Sequence, residues 1–215
     1  MNNEDKVILD LCGGTGAWSQ PYANTGYDVR NISLPAYDVR TYQPPAEVWG
    51  ILAAPPCTEF SVSGVRWWKS KSPELLREAI EVVRACLRII NETEKEWWAL
   101  ENPVGRLRRC VPEIGHWLYT FQPSDYGDPW TKRTCIWGNH NIPIRTPVEP
   151  IGTWLGSAAA GKPLDIVDHP LLLLKPDAIF LPPDWIHKLP PSADRATLRS
   201  MTPPGFARAF FEANQ

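Results

Sequence analysis

An apolar run of strand length ends at two prolines, and a cysteine follows them directly. Residues Trp49 to Ala54 are small or apolar without interruption, which is the pattern of a strand buried on both faces of a parallel sheet. Because proline cannot donate to a sheet ladder, Pro55 and Pro56 end that strand and present Cys57 beyond its carboxyl end. Ligands bind at that edge of open α/β sheets, so Cys57 is a candidate reactive thiol. The alternative is a structural cysteine packed in the core.

The start of the chain predicts a second ligand-binding turn. Residues 7–11 form an apolar strand interrupted only by Asp10, a glycine-rich turn follows, and residues 17–23 predict the start of a helix. Glycine adopts positive φ and lets a ligand approach the backbone closely, so a strand, glycine turn and helix in this order indicates a nucleotide site. A plain tight turn is the alternative. Asp10 either hydrogen-bonds a polar ligand or caps backbone N–H groups in the turn.

A second strand is predicted over residues 27–34, which alternate weakly between apolar and polar. In folds of this kind an acid after the second strand binds a ribose hydroxyl. Here the strand ends in Asn31, Ser33 and Leu34, and the next acid is Asp38, beyond the turn at Pro35.

The segment after Cys57 interleaves hydroxyl, basic and aromatic residues over residues 61–72. Such a loop can contact phosphates and support a gap in a base stack; alternatively, it is a solvated loop whose tryptophans pack into the core. A helix follows, with Ser72 as its N-cap, Pro73 in its first turn and apolar residues at helical spacing as far as Ile90.

Another apolar run, Glu96 to Leu100, predicts a strand that also ends in polar residues and a proline. Glu101, Asn102 and Pro103 follow it directly. Two buried strands therefore each deliver a reactive side chain beside a proline, which packing alone explains poorly. Desolvation at such a position would raise the pKa of Glu101 and suit it to donating a proton near neutral pH.

Composition excludes several classes of protein. The 215 residues carry a net charge of −2, so no general basic field indicates a nucleic-acid partner. Five cysteines lack the spacing of a zinc site or of a disulfide framework, and we expect reduced thiols and no metal. No apolar run is long enough to span a membrane, and the N-terminus lacks the features of a secretory signal, so we expect a cytoplasmic protein without a membrane partner.

Taken in order, these motifs resemble those of the cytosine-5 DNA methyltransferases. The residues that carry the resemblance are Asp10-Leu-x-Gly-Gly-x-Gly, the Pro55-Pro56-Cys57 segment and Glu101-Asn102-Pro103, of which the Pro-Cys and Glu-Asn pairs are most specific to the family. Residues 125–138 resemble the family's arginine segment, although its Gln and first Arg are replaced by Trp130, Thr131 and Lys132. Residues 201–211 resemble its C-terminal proline-containing motif.

The resemblance implies a role for each matched residue. Cys57 would be the nucleophile that adds to cytosine C6, Glu101 would protonate or hydrogen-bond N3, and Asn102 would hold the loop in register. Counting back from Gly138 assigns Arg133 to the family's second arginine, which would bind the O2 atom of the base. Lys132 could replace the first arginine in charge, but lysine cannot reproduce a bidentate guanidinium contact.

The resemblance also implies a fold, a cofactor and a substrate. We expect an α/β, Rossmann-like S-adenosylmethionine-dependent methyltransferase fold, with a mostly parallel sheet flanked by helices and a small irregular proline-rich lobe. The substrate would be duplex DNA with the target cytosine flipped out. The expected S-adenosylmethionine contacts are Asp10, Leu11, Cys12, Gly13, Gly14, Gly16, Trp18, Leu34, Asp38, Val39 and Pro56. The expected substrate contacts are Pro56, Ser61, Ser63, Arg66 and Lys132.

The chain departs from the family in its region for target recognition. Residues 1–138 and 195–215 would form the catalytic domain, which leaves only the proline-rich residues 139–194 as a minimal recognition region. We therefore expect short or relaxed sequence specificity and a compact, phage-like monomer, in the host cytoplasm if the chain is phage-encoded. Two alternatives remain open, namely the same chemistry on RNA or a free cytosine nucleotide, and a non-catalytic nucleic-acid-binding relative.

Overall fold

The fold is described from a computed structural model. The description covers residues 2–148, 153–154, 180–181, 184–187, 189, 192 and 195–215. Most of the proline-rich recognition region predicted over residues 139–194 lies outside this part of the chain. Within the described residues, no helix has the length and apolar character needed to cross a membrane.

A six-stranded sheet forms the centre of the fold, with its strands in the order β2-β1-β3-β4-β6-β5. The first four positions in this order are parallel, and β6 runs antiparallel to both of its neighbours. Two short strands, β7 and β8, pair separately. The strands are β1 (Val7–Leu11), β2 (Asp28–Ile32), β3 (Glu47–Ala53), β4 (Glu94–Pro103), β5 (Tyr119–Phe121), β6 (Thr134–Asn139), β7 (Thr153–Trp154) and β8 (Phe180–Leu181).

The order of the strands confirms the predicted Rossmann-like α/β fold. The chain places β2 on one side of β1 and then crosses to place β3 on the other side, so the direction of winding reverses between β1 and β3. In such sheets a crevice opens outside the carboxyl ends of the strands at this reversal. The glycine-rich turn after Leu11 and the segment that carries Cys57 both leave the sheet there.

Helices cover the two faces of the sheet. Ser72 caps α2 by accepting a hydrogen bond from the Glu74 backbone N–H, and the buried side of α2 packs on the sheet through residues such as Val83 and Ile89. On the other face, Phe206 and Phe210 of α5 pack in a second cluster. The helices are α1 (Gln20–Asn24), α2 (Pro73–Glu92), α3 (Leu107–Cys110), α4 (Arg195–Ser200) and α5 (Pro204–Ala213).

Two predicted boundaries differ from the observed ones. Glu101 and Asn102 lie inside β4 rather than after it, because pairing with β6 extends that strand to Pro103. The first helix begins at Gln20 rather than Ala17, because the turn continues through Gly14 and Gly16, both of which have positive φ.

Candidate active site

The Cys57 thiol lies in the loop that leaves the sheet after β3. The residue is half-buried, between exposed neighbours at Pro56 and Thr58. Burial raises the pKa of the Cys57 thiol, the positive charge of Lys132 opposes the rise, and Glu101 reinforces it. A raised pKa keeps the thiol protonated in the resting protein, so formation of the thiolate depends on the charges around it.

Residues at and beyond the end of β4 fasten this loop from one side. The Asn102 side chain donates to the Pro55 carbonyl oxygen at 3.0 Å. The Arg106 backbone N–H donates to the Phe60 carbonyl oxygen at 2.8 Å, and its side chain Nε donates to the Glu59 carbonyl oxygen, also at 2.8 Å. The strand that carries Glu101 therefore also determines where the Cys57 loop lies.

Gly105 is required where the loop after Cys57 crosses the end of β4. A Cβ atom at this position would overlap the Phe60 carbonyl oxygen, so the two backbones cross here without room for a side chain. Ser61 and Gly105 also form an isolated antiparallel bridge. The close approach holds the loop after Cys57 directly against the end of β4.

A partly buried ion pair supports the loop from the other side. Lys71 donates to a Glu59 carboxylate oxygen at 2.9 Å and to the Thr58 carbonyl oxygen at 2.8 Å. Glu59 is only 8% exposed, and its second carboxylate oxygen has no hydrogen-bond partner within the described structure. Both residues that follow Cys57 are thus held through Lys71, which precedes α2.

Glu101 is a buried acid in the strand next to β3. It is 8% exposed, and one of its carboxyl oxygens has no hydrogen-bond partner among the described residues. Burial raises the pKa of Glu101, and the charge of Lys132 opposes the rise. The carboxyl group therefore stays protonated to a higher pH than a surface glutamate, as a proton donor near neutral pH requires.

Lys132 is the cation whose charge acts on both Cys57 and Glu101, whereas counting back from Gly138 assigns the contact with the base to Arg133. Glu101 lies opposite Ile136 and Pro103 lies opposite Thr134 across the β4–β6 pair. Opposed residues share a face and successive residues alternate, so Lys132, two positions before Thr134, lies on the face of Glu101.

Arg133 lies on the opposite face and is exposed to solvent. Its charge acts on Cys135, where it opposes the rise in pKa that burial causes. Lys132 by contrast is 7% exposed, and its charge acts on Cys57 and Glu101. Both residues precede β6, and a hydrogen bond from the Val104 N–H to the Arg133 carbonyl oxygen continues the pairing with β4 and places the two side chains on different faces.

The glycine-rich turn surrounds a buried carboxylate. Asp10 is fully buried; one of its oxygens accepts a hydrogen bond from Ser19 Oγ at 2.5 Å, and the other has no partner within the described residues. Burial raises the pKa of Asp10 to about 6, opposed by the bond from Ser19. A Cβ atom at Gly13 would overlap this carboxylate. The unpaired oxygen and the open turn fit a ligand with hydrogen-bond donors.

The other residues predicted to bind the cofactor divide into three groups. Cys12 (φ 58°), Gly14 and Gly16 form the turn itself, and Leu11 is buried in the strand before it. Leu34 and Pro56 are exposed at this edge, whereas Asp38 forms an ion pair with Arg40 at 2.5 Å. Trp18 and Val39 are core residues.

Trp18 requires a correction, because it is only 2% exposed. Its indole packs against Phe206 and Phe210 of α5, with ring centroids 5.9 and 5.3 Å apart. The side chain therefore supports the turn from the core and offers no surface to a ligand. Val39 similarly packs in the other core cluster.

The predicted substrate loop is an exposed surface next to Cys57. Residues Val62–Trp67 form a 3-10 helix, and Ser61 caps it by accepting a hydrogen bond from the Ser63 backbone N–H. Arg66 is exposed, and Trp67 is 55% exposed. The aromatic residue therefore does not pack into the core, which leaves the loop accessible to a substrate.

Sequence reasoning missed the residues that hold the site together. The Cys57 loop is contacted by Lys71, 13 positions after Thr58, and by Gly105 and Arg106, which lie more than 40 positions further along the chain than the loop. No local pattern in the sequence marks these contacts. In the described part of the chain, no group of three or more His, Cys, Asp or Glu side chains is arranged to hold a metal ion.

Solved structures similar to this chain include that of a DNA-modifying protein. No protein-family model matches the chain, and no curated protein matches it. The chain is similar to the crystal structure of a protein provisionally described as a DNA modification methyltransferase encoded within an E. coli prophage, with 16% sequence identity and a TM-score of 0.46. The match covers 68% of this chain and 52% of that protein, so the chain spans about half of its length.

Proposed function

We propose that this protein transfers a methyl group from S-adenosylmethionine to C5 of cytosine in DNA, through a covalent bond between Cys57 and C6 of the base. The observation that carries the proposal is the combination of Cys57 with the buried acid Glu101 on the neighbouring strand, where Asn102 donates to the Pro55 carbonyl oxygen in the Cys57 loop at 3.0 Å. A thiol together with a carboxyl group whose pKa is raised is the pair that attack on an electron-poor pyrimidine requires.

The cofactor would be held at the turn after β1. Asp10 offers an unpaired carboxylate oxygen, and Gly13 lets the turn pass directly against that carboxylate, where a Cβ atom would overlap it. Gly14 lies at the exposed tip of the turn, where a ligand can approach the backbone. When bound there, S-adenosylmethionine supplies the methyl group for C5.

The chain's own residues would perform the remaining chemistry. Cys57 loses its proton to water, and the thiolate forms a bond to C6 while the C5=C6 π bond opens. The electrons move towards N3, which takes the proton of the Glu101 carboxyl group, so no negative charge accumulates on the ring. Lys132 stabilises the thiolate through its charge. After methylation C5 loses its proton to solvent, N3 returns its proton to Glu101, and the bond to Cys57 breaks.

Access to the thiol requires the base to leave the duplex. Cys57 is half-buried and Glu101 is buried, so a base that stays stacked in the duplex cannot reach them. The exposed loop of residues 61–67 adjoins Cys57 and carries hydroxyl, basic and aromatic side chains. These side chains are suited to contacting phosphate and to filling the space that the base leaves.

The test is to incubate the protein with labelled S-adenosylmethionine and, in parallel, with duplex DNA, single-stranded DNA, RNA and dCMP. We expect 5-methylcytosine in duplex DNA, identified by mass spectrometry, and no transfer by Cys57→Ser. Cys110→Ser is the matched control, because Cys110 is a half-buried thiol in α3 and should be dispensable. Methylation that persists in Cys57→Ser, or a product methylated on an exocyclic amine, would refute the mechanism.

Duplex DNA containing 5-fluorocytosine provides a second measurement. Fluorine cannot leave C5 as a proton does, so the covalent bond between Cys57 and the base should persist and be visible as a protein–DNA adduct. Transfer to RNA or dCMP alone would keep the chemistry and change the substrate. The expected short or relaxed specificity is tested by bisulfite sequencing, and methylation confined to one site of about six or more base pairs would contradict it.

A further inference from the structure

Arg199 of α4 reaches across to the loop that follows Cys57. Its Nη2 atom donates a hydrogen bond to Ser63 Oγ at 3.4 Å, although the two residues are 136 positions apart in the sequence. Ser63 Oγ is in turn 3.0 Å from Ser61 Oγ. One guanidinium and two hydroxyl groups thus meet on the loop that follows Cys57.

Two positive charges act on this part of the site. Arg199 and Lys132 both act on the Cys57 thiol, and both act on His187, whose pKa is lowered first by burial and then by these two charges. Within the described residues, neither Arg199 nor Lys132 has a carboxylate oxygen within 4.0 Å. The acids whose charges act on these groups are Glu101, which is buried and has a raised pKa, and Asp184, which acts on His187.

The helix that carries Arg199 is held beside Lys132. Leu198, which precedes Arg199 in α4, lines a small cleft together with Lys132, Trp130 and Met201. The cleft has room for little more than a water molecule, so these side chains pack against one another. This packing fixes α4 where Arg199 can reach the loop that follows Cys57.

We propose that Arg199, together with the Ser61 and Ser63 hydroxyls, binds the phosphate of the nucleotide whose base enters the Cys57 site. Guanidinium and hydroxyl groups are the donors that recognise phosphate oxygens most often in proteins. The inference rests on the proposed function and adds to it a binding site for the anionic part of the substrate. It also gives the segment at residues 195–200 a direct role in substrate binding.

Two sources can provide such a phosphate, namely a phosphodiester of DNA and a free nucleotide. The experiment therefore measures binding of deoxycytidine, dCMP and a cytosine-containing duplex to wild type, Arg199→Met and Ser63→Ala. Arg208→Met is the matched control, because it removes an exposed arginine from α5, outside the cleft. Circular dichroism checks that each variant is folded.

For DNA the measured quantity is the dependence of affinity on salt. Loss of one phosphate contact should reduce the slope of log K against log salt by about 0.9 in Arg199→Met. If the source is a free nucleotide, the affinity for dCMP should fall about tenfold in Arg199→Met while the affinity for deoxycytidine stays unchanged. Ser63→Ala should weaken the binding of the duplex and of dCMP but leave the salt slope unchanged, because a hydroxyl group carries no charge. The proposal is overturned if Arg199→Met behaves like Arg208→Met with both the duplex and dCMP.

A third measurement separates this inference from the proposed chemistry. Bound ligand should protect Cys57 from alkylation by iodoacetamide in wild type, and protection should require more ligand in Arg199→Met. These readouts need no methyl transfer. If they behave as expected while wild type methylates no cytosine, the phosphate site stands and the chemistry fails. If wild type methylates cytosine and Arg199→Met binds normally, the chemistry stands and the phosphate site is wrong.

Discussion

Replacing Asp10 by asparagine should stabilise the fold near neutral pH and weaken the binding of the cofactor. Asp10 is fully buried, and only one of its oxygens has a hydrogen-bond partner among the described residues, the Ser19 hydroxyl. A buried charge with one partner is costly, so ionisation of this group opposes folding. Asparagine keeps an oxygen that accepts from Ser19 and cannot ionise.

The size and sign of the effect follow from the pKa of Asp10. Burial raises the pKa from 3.8 to about 6, so between these values the native state keeps a proton that the unfolded chain has lost. The free energy of unfolding therefore falls as the pH rises through this window, and the full penalty is present above about pH 6. The difference of about two pH units corresponds to about 3 kcal/mol.

Urea unfolding at two pH values tests this reasoning. At about pH 5 roughly half of this loss in the free energy of unfolding has developed. The free energy of unfolding of Asp10→Asn should therefore exceed that of wild type by about 1.5 kcal/mol more at about pH 8 than at about pH 5. Asp28→Asn is the matched control, because it removes a carboxylate that is 42% exposed and pairs with Arg30. An advantage that is equal at both pH values, or a less stable variant at pH 8, would refute the account of Asp10.

The same variant tests the cofactor site. Loss of the carboxylate charge should weaken the binding of S-adenosylhomocysteine, measured by calorimetry, by about tenfold or more. A variant that is more stable and binds less tightly would show that the buried charge is retained for function at the expense of stability. Unchanged binding would mean that Asp10 serves only the turn.

Further substitutions test how the site is packed. Gly105→Ala should cost about 1–3 kcal/mol in urea unfolding, because the new Cβ overlaps the Phe60 carbonyl oxygen; an unchanged stability would contradict that close approach. Asn102→Ala should cost about 1–3 kcal/mol and slow methyl transfer, since the Pro55 carbonyl loses its donor, and wild-type activity would argue against Asn102 as the positioning residue. Trp18→Ala should cost about 3–5 kcal/mol, whereas Trp67→Ala, at an exposed position, should cost no more than about 0.5 kcal/mol; equal losses would contradict the core position of Trp18.

Features with a local cause were predictable from the sequence. The start of α2 is confirmed at Pro73, because an N-cap serine and a first-turn proline act within one turn of the helix. The strand before Pro55 is also confirmed, since prolines end a strand wherever the chain goes next. The extent of β4 was not predictable, because its last three residues are held by pairing with β6.

The sequence by itself determined the candidate chemistry, and the tertiary structure decided which residues share the site. Cys57 and Glu101 follow from strand patterns and their prolines, which depend only on neighbouring residues. The choice of Lys132 over Arg133 depends on the register of β6 against β4, because a shift of one residue exchanges the two faces of a strand. Arg106 and Arg199 reach the Cys57 loop only through the packing of distant segments, for which the sequence carries no local signal.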